Sequence, residues 1–174
     1  AGYRLVHTKY EGNASQQIVD MTAPEGKSLP VRKTDIFMAT AWWTAYAAQP
    51  ILKWQNLQYG TQSPLIYLIQ DYEPGFYPWS SQYLLADSTY KMDVDTIAVF
   101  NSHLLADFFE QNGYKFYGHF AFDPVLNEKL KAYLLACKQY PKRQKQILLY
   151  GRPSTQRNAF TLAVEALRQW SKLQ

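Results

Sequence analysis

The densest stretch of chemistry-bearing residues is Gln70-Asp71-Tyr72-Glu73-Pro74-Gly75-Phe76-Tyr77-Pro78-Trp79. Two carboxylates, Asp71 and Glu73, follow directly on the apolar run Leu65–Ile69, and a Pro/Gly loop rich in rings comes next. A carboxyl group at the end of a buried strand, beside apolar walls, has its proton affinity raised by desolvation, which suits a general base. Rings such as Tyr72 and Trp79 beside it would stack on a sugar face. The plainer reading stays open: the carboxylates cap the loop and the rings cover a core. A second stretch is Gly151-Arg152-Pro153-Ser154-Thr155-Gln156-Arg157-Asn158. It lies between an apolar run and an amphipathic segment, so it is expected to open a helix. A helix start presents free N–H groups and partial positive charge. Gly151 permits close backbone approach, and Arg152 and Arg157 add planar cations suited to phosphate. The alternative is a loop of solvated charges. Neither Gly-x-Gly-x-x-Gly nor Gly-Lys-Ser/Thr is present, which disfavours a dinucleotide or P-loop site.

Other candidates are weaker. Asn101-Ser102-His103 again joins a strand to a helix, where Ser102 is expected to cap rather than to react, and no Gly-x-Ser-x-Gly elbow surrounds it. Asp93 and Asp95 precede a strand and supply too few oxygens for a hard cation, so they read as turn residues. His7, His103 and His119 show no ligand spacing, so no metal and no cofactor is expected. Cys137 is expected as a packed thiol on a helix stripe.

These residues need a scaffold, and the pattern supplies one. Buried strands are expected over 35–40, 64–70, 96–100, 115–120 and 147–150. Helices are expected over 44–53, ended near Pro50; over 80–90; from Asn101-Ser102 to Asn112-Gly113, burying Leu104, Leu105, Phe108 and Phe109; from Asp123-Pro124 to about Gln139; and over 157–173, burying Phe160, Val164, Leu167 and Trp170. Strands alternating with helices predict an α/β fold: a Rossmann-like parallel sheet with helices on both faces. Ligands in such sheets bind beyond the carboxyl ends of the strands. Residues 1–33 are poorly patterned, 34–140 form the main domain, the basic stretch 141–146 is a linker, and 147–174 are the first strand–helix unit of a second domain.

Composition fits this reading. The 174 residues are 47% hydrophobic and 18% charged, which excludes a disordered chain. A chain of this length can bury roughly 70% of its unfolded surface. No apolar run reaches the ~18 residues of a transmembrane helix. One cysteine excludes an internal disulfide. The net charge of +4 is compatible with phosphate-bearing ligands or an anionic membrane surface. Lys and Arg are spread along the chain rather than gathered in a stripe, which argues against nucleic acid.

The order of motifs, an aromatic strand-end loop, then TIAVFNSHLLADFFEQNGY, then ILLYGRPSTQRNAFTLAVEALRQW, resembles bacterial glycosyltransferases of the GT-B type. The nearest likeness is to rhamnosyltransferase-like enzymes of cell-surface polysaccharide synthesis. The resemblance covers about residues 34–174. It implies that the Asn101-Ser102 step closes an acceptor-side Rossmann-like domain and that residues 147–174 begin the donor-binding domain. Gly151 and Arg152 would face the diphosphate of a nucleotide-sugar donor, with Arg157 and Asn158 at the start of the following helix. Asp71, with Glu73 second, would be the acceptor-side base. Trp42, Trp43, Tyr72, Trp79, Asn101 and Ser102 would line the glycan acceptor's cleft. The implied reaction is metal-independent sugar transfer to a glycan hydroxyl, on the cytoplasmic side, with peripheral contact to the inner membrane face. A donor domain needs further strand–helix units, so the remainder of that domain is an expected partner, and the chain by itself is expected to be inactive. The rival reading is a non-catalytic carbohydrate-binding or assembly domain of the same shape.

Overall fold

The computed structural model describes residues 4–7, 26–137 and 145–173. They group into two compact bodies, Ala1–Asp123 and Pro124–Gln174. In the first body the expected parallel α/β architecture is present, though its three helices pack on one face of the sheet rather than on both. Strands β3 (Met38–Ala39), β4 (Leu65–Ile69), β5 (Thr96–Phe100) and β6 (Gly118–Ala121) lie side by side in chain order, every pair parallel. Register runs Ala39 beside Tyr67, Tyr67 beside Ala98, and Ala98 beside His119. The first 33 residues, weakly patterned in the sequence, also contain strand: β1 (Arg4–His7) pairs in parallel with β2 (Ser28–Val31). A two-stranded ribbon is all edge, which is where Pro30 can be tolerated.

Helices α1 (Trp42–Tyr59), α2 (Ser81–Ser88) and α3 (His103–Gln111) fill the three crossovers. Crossovers of one hand that step in one direction keep their helices on one face. The core agrees. Ala39, Leu65, Tyr67, Ile69, Ala98 and Phe100 share a face of the sheet and pack against Ala45, Ala48 and Leu52 of α1, Tyr90 beyond α2, and Phe109 of α3. Every second residue of β4 and β5 is fully buried and the rest are half-buried. Each buried Leu or Ile there contributes about 1.5–3 kcal/mol.

Several local expectations need correcting. Helix α1 does not stop at Pro50 but runs through it to Tyr59, closed by Gly60 in the left-handed region (φ 61°). Pro50 lies opposite the buried stripe of Ala45, Ala48, Leu52 and Gln55, and both Pro50 and Tyr46 are exposed. The Tyr46 carbonyl that loses its partner therefore faces water, which softens the usual proline penalty. On α3 the buried stripe is Leu105, Ala106 and Phe109, while Leu104 is 82% exposed and Phe108 is partly exposed. The expected stripe was one helical position too wide.

The second body departs further. Helix α4 spans Glu128–Cys137 and is capped not by Asp123 but by Asn127, whose Oδ1 accepts from the Lys129 N–H at 2.9 Å. Cys137 is exposed rather than packed. Residues 147–150 form no strand: Ile147 and Tyr150 are exposed and Leu148 is 99% exposed. A strand is held by its neighbours' main chain, and no strand partner exists among the described residues of this body. Helix α5 spans Phe160–Ser171, three residues later than expected. Phe160, Val164 and Leu167 are only half-buried and Trp170 is exposed. The stretch 141–146 lies largely outside the described residues.

Candidate functional site

The carboxyl ends of β3, β4 and β5 are tied together by side-chain amides. Gln70 Nε2 donates to the Thr40 carbonyl at 3.1 Å, and Asn101 Nδ2 donates to the Gln70 carbonyl at 3.0 Å. Asn101 is thus a clamp between strand ends. Ser102 is the cap of α3, its Oγ accepting from the Leu105 N–H at 3.2 Å, as expected for this residue type. Both sit on the expected rim, with their polar groups engaged by the protein.

The loop after β4 splits its carboxylates. Asp71 is exposed, and its Oδ1 accepts only from the N–H of Tyr72 (2.9 Å) among the described hydrogen bonds. Glu73 opens a short 3-10 turn, Glu73–Phe76, whose Pro74 is buried. Its Oε2 accepts from the Trp42 N–H at 2.5 Å and from the Tyr67 hydroxyl at 3.4 Å. Burial raises the proton affinity of Glu73 above the ordinary range. The two hydrogen bonds oppose that rise and the nearby Asp71 charge adds to it. This is the environment that the sequence led one to expect for a carboxylate here, and it belongs to Glu73.

The rings divide in the same way. Trp42 is half-buried, its Nε1–H donating to Tyr77 Oη at 3.0 Å, with the two rings edge-on at 6.2 Å. Tyr72 is turned inward against Tyr90, Phe108, Phe109 and Tyr114. Its hydroxyl meets those of Tyr114 (2.9 Å) and Tyr83 (3.2 Å), and burial pushes it up to about 12. Tyr114 in turn donates to Asp87 Oδ1, while Asp87 Oδ2 accepts from Lys91 Nζ at 2.6 Å. Tyr72 therefore buttresses the loop and does not offer a ring face to an acceptor. Trp43 and Trp79 are open instead, 56% and 78% exposed, Trp79 leaning on Tyr83 at 5.1 Å.

Gln70 and Tyr77 are the residues that sequence reasoning passed over. Gln70 was visible as the first polar residue after a buried strand. Tyr77 carried no signal, because its partner is 35 positions away. Elsewhere in this body a groove of about 720 Å³ runs between α3 and β6, lined by Phe100, Phe109, His103 and His119 and by none of the carboxylate, tryptophan or arginine candidates. Asp93 pairs with Lys53 at 3.7 Å. No group of three or more His, Cys, Asp or Glu side chains suited to a metal occurs among the described residues. Among those residues no helix is long and apolar enough to cross a membrane.

In the second body Gly151, Arg152, Arg157 and Asn158 lie within one short loop before α5. Thr155 N–H donates to the Arg152 carbonyl and Asn158 N–H to the Thr155 carbonyl, both at 3.0 Å. Arg157 and Asn158 belong to a 3-10 turn, Gln156–Asn158, not to the first turn of the helix. Ala159 separates them from α5 and takes the left-handed region (φ 48°). Gly151 sits against the Phe160 ring, which a Cβ would meet at 3.5 Å.

A parallel α/β body with a carboxylate-bearing, tryptophan-bearing loop at its strand ends belongs to the Rossmann-like class, in which ligands bind beyond the carboxyl ends of the strands. Comparison with known families narrows it. A family model described as WsaF, N-terminal domain, matches residues 1–103, and one described as WsaF, C-terminal domain, matches residues 145–174. The chain belongs to the WsaF family, a glycosyltransferase family. No curated protein matches the chain.

Proposed function

We propose that the protein takes part in transferring a sugar, of rhamnose type, from a nucleotide-diphosphate donor to a hydroxyl of a growing surface glycan, in a GT-B enzyme. The observation that carries this reading is the match to both WsaF domains in their chain order, with an exposed carboxylate and an exposed tryptophan on one strand-end loop of the first body. In the reaction a carboxylate of the Asp71/Glu73 pair removes the acceptor O–H proton. The acceptor oxygen bonds to the anomeric carbon, and the bond from that carbon to the diphosphate breaks, its electron pair leaving with the nucleoside diphosphate. Arg152 and Arg157 stabilise the charge that develops there, in the role a metal plays in other transferases. Trp43 and Trp79 supply ring faces for the acceptor sugars. Donor supply puts the reaction on the cytoplasmic side, against the inner membrane face.

The exposure of Trp79 and Trp43 also favours a second reading, a carbohydrate-binding or assembly role without turnover. Calorimetry of the full chain with a nucleotide-diphosphate sugar tests the first reading. Arg152→Ala is expected to weaken binding about tenfold, the loss of charge-assisted bonds. Glycan binding that is lost in Trp79→Ala, with no nucleotide binding and no turnover, selects the second.

A further inference from the structure

The two carboxylates of the strand-end loop are held so differently that they cannot serve the same purpose. We infer that Glu73 is a positioning residue: it latches the start of α1 to the loop after β4 and so sets the open rings of Trp43 and Trp79 for an acceptor glycan, leaving proton removal to Asp71. This rests on the glycosyl-transfer reading above.

Helix α1 starts with donors that need partners from outside the helix. The first N–H groups of a helix have no intrahelical partner. Its N-cap position is Ala41, which has no side-chain acceptor. Thr44 Oγ1 turns back and takes the N–H groups of Thr40 and Ala41, both at 3.0 Å. Thr44 N–H bonds to the Ala41 carbonyl at 3.0 Å, which leaves the N–H groups of Trp43 and of the first helical residue, Trp42. Glu73, 31 positions away, supplies its acceptor at 2.5 Å. A carboxylate at the positive end of an 18-residue helix is favoured by the helix dipole as well as by the bond itself. The same Oε2 also accepts from Tyr67 at 3.4 Å, so one oxygen joins helix, loop and strand β4. A second bond runs parallel to it, from Trp42 Nε1–H to Tyr77 Oη. The latch therefore has one end at residue 42 and the other at residues 73 and 77. Trp43 is one residue from the first end and Trp79 two residues from the second. Both exposed rings hang from backbone that the latch fixes. A base must aim an unencumbered oxygen at its substrate. Asp71, exposed and bonded only to its neighbour's N–H among the described residues, meets that need better.

The experiment uses the full chain and a rhamnose trisaccharide as the probe, titrated by tryptophan fluorescence, with near-ultraviolet circular dichroism reporting the Trp42–Tyr77 setting. Glu73→Ala is expected to weaken trisaccharide binding about tenfold and to flatten the tryptophan dichroism. Glu73→Gln keeps a carbonyl oxygen for the Trp42 N–H and is expected to restore binding to within about threefold of wild type. Tyr77→Phe, which removes one hydroxyl and nothing else, is expected to fall between them and guards against a Glu73→Ala chain that does not fold. Where turnover is measured, the Glu73→Ala loss falls on KM and the Asp71→Asn loss on kcat. Equal binding by Glu73→Ala and wild type overturns the inference, as does a Glu73→Gln chain that binds normally but loses kcat as Asp71→Asn does. A wild-type chain that binds no trisaccharide overturns the glycosyl reading and the role of the rings with it. The dichroism of the three variants still decides whether the latch exists.

Discussion

Two segments of this chain are built alike and fold differently. Thr96–Phe100 leads through Asn101 and Ser102 into α3; Ile147–Tyr150 leads through residues 151–158 into α5. Both are short apolar runs, both are followed by polar loops, and both helices carry an apolar stripe. The first run is a strand with Thr96, Ala98 and Phe100 buried, because β4 and β6 flank it and α3 lies over it. The second forms no regular element and is largely exposed, with no strand beside it among the described residues. An apolar run proposes a strand; neighbours make it one. The same contrast holds at the helix starts. Ser102 meets the backbone of α3 with its hydroxyl, whereas Ala159 enters α5 in a left-handed conformation with no side-chain cap.

The largest expected effect tests the packing side of that comparison. Phe109 touches Phe100, Tyr90, Tyr114 and Phe116 and is 1% exposed. Phe109→Ala should cost about 3–5 kcal/mol in urea unfolding. Leu148→Ala, at an equally apolar residue, should change stability by no more than about 0.5 kcal/mol. Comparable losses in the two would mean that Ile147–Tyr150 is packed after all, and the contrast between the bodies would collapse.

The caps give the next effect, and the signs differ. Ser102→Ala removes a bond to the Leu105 N–H and should destabilise the first body by about 1 kcal/mol. Ala159→Gly should do the reverse, because a residue with a Cβ in the left-handed region costs roughly 1–2 kcal/mol that glycine avoids. Far-ultraviolet dichroism during heating reads both. A loss of helix in Ala159→Gly would show that the left-handed entry to α5 does not strain the chain.

Much of the first body was legible because its signals are local. Thr96–Phe100 is a strand over the residues its apolar run marks, Ser80 and Ser102 cap the helices they precede, and Gly113 follows α3 in the left-handed region. What escaped depends on partners far along the chain. That Pro50 could sit inside α1 depends on which face the sheet covers. That Trp42 and Tyr72 are struts, while Trp43 and Trp79 are open, depends on Glu73, Tyr77 and Tyr114, from 31 to 42 positions away. A loop rich in rings looks the same in sequence whether a ring supports the loop or faces outward. The residue types marked the candidate loop, but which of its side chains are struts and which lie open is set by long-range hydrogen bonds.

The smallest effect sharpens a contrast inside the first body, between two of its carboxylates. Burial raises the proton affinity of Glu73, the bonds from Trp42 and Tyr67 only partly offset it, and the Asp71 charge adds to the rise; Tyr67 and Tyr90 are the other titratable groups against it. For an acid whose folded proton affinity is raised, the folded state holds the proton more tightly than the unfolded one. Its contribution is therefore fully present below the ordinary value of 4.5 and is lost as pH rises through the folded value. Asp87 runs the other way. Burial works against its charge, but the bonds from Lys91, Tyr114 and Tyr72 outweigh it and hold the carboxyl below its ordinary 3.8. Its contribution is present above that value and is lost as pH falls through the folded one. Urea titrations of the full chain from pH 3 to pH 7 should show Glu73→Gln removing a downward slope above pH ~4.5, and Asp87→Asn removing an upward slope below pH ~4, the windows set by the two directions of shift. If Glu73→Gln leaves the slope above pH ~4.5 unchanged, the carboxylate is better solvated than its place between Trp42 and Tyr67 requires, and its hold on α1 is correspondingly looser.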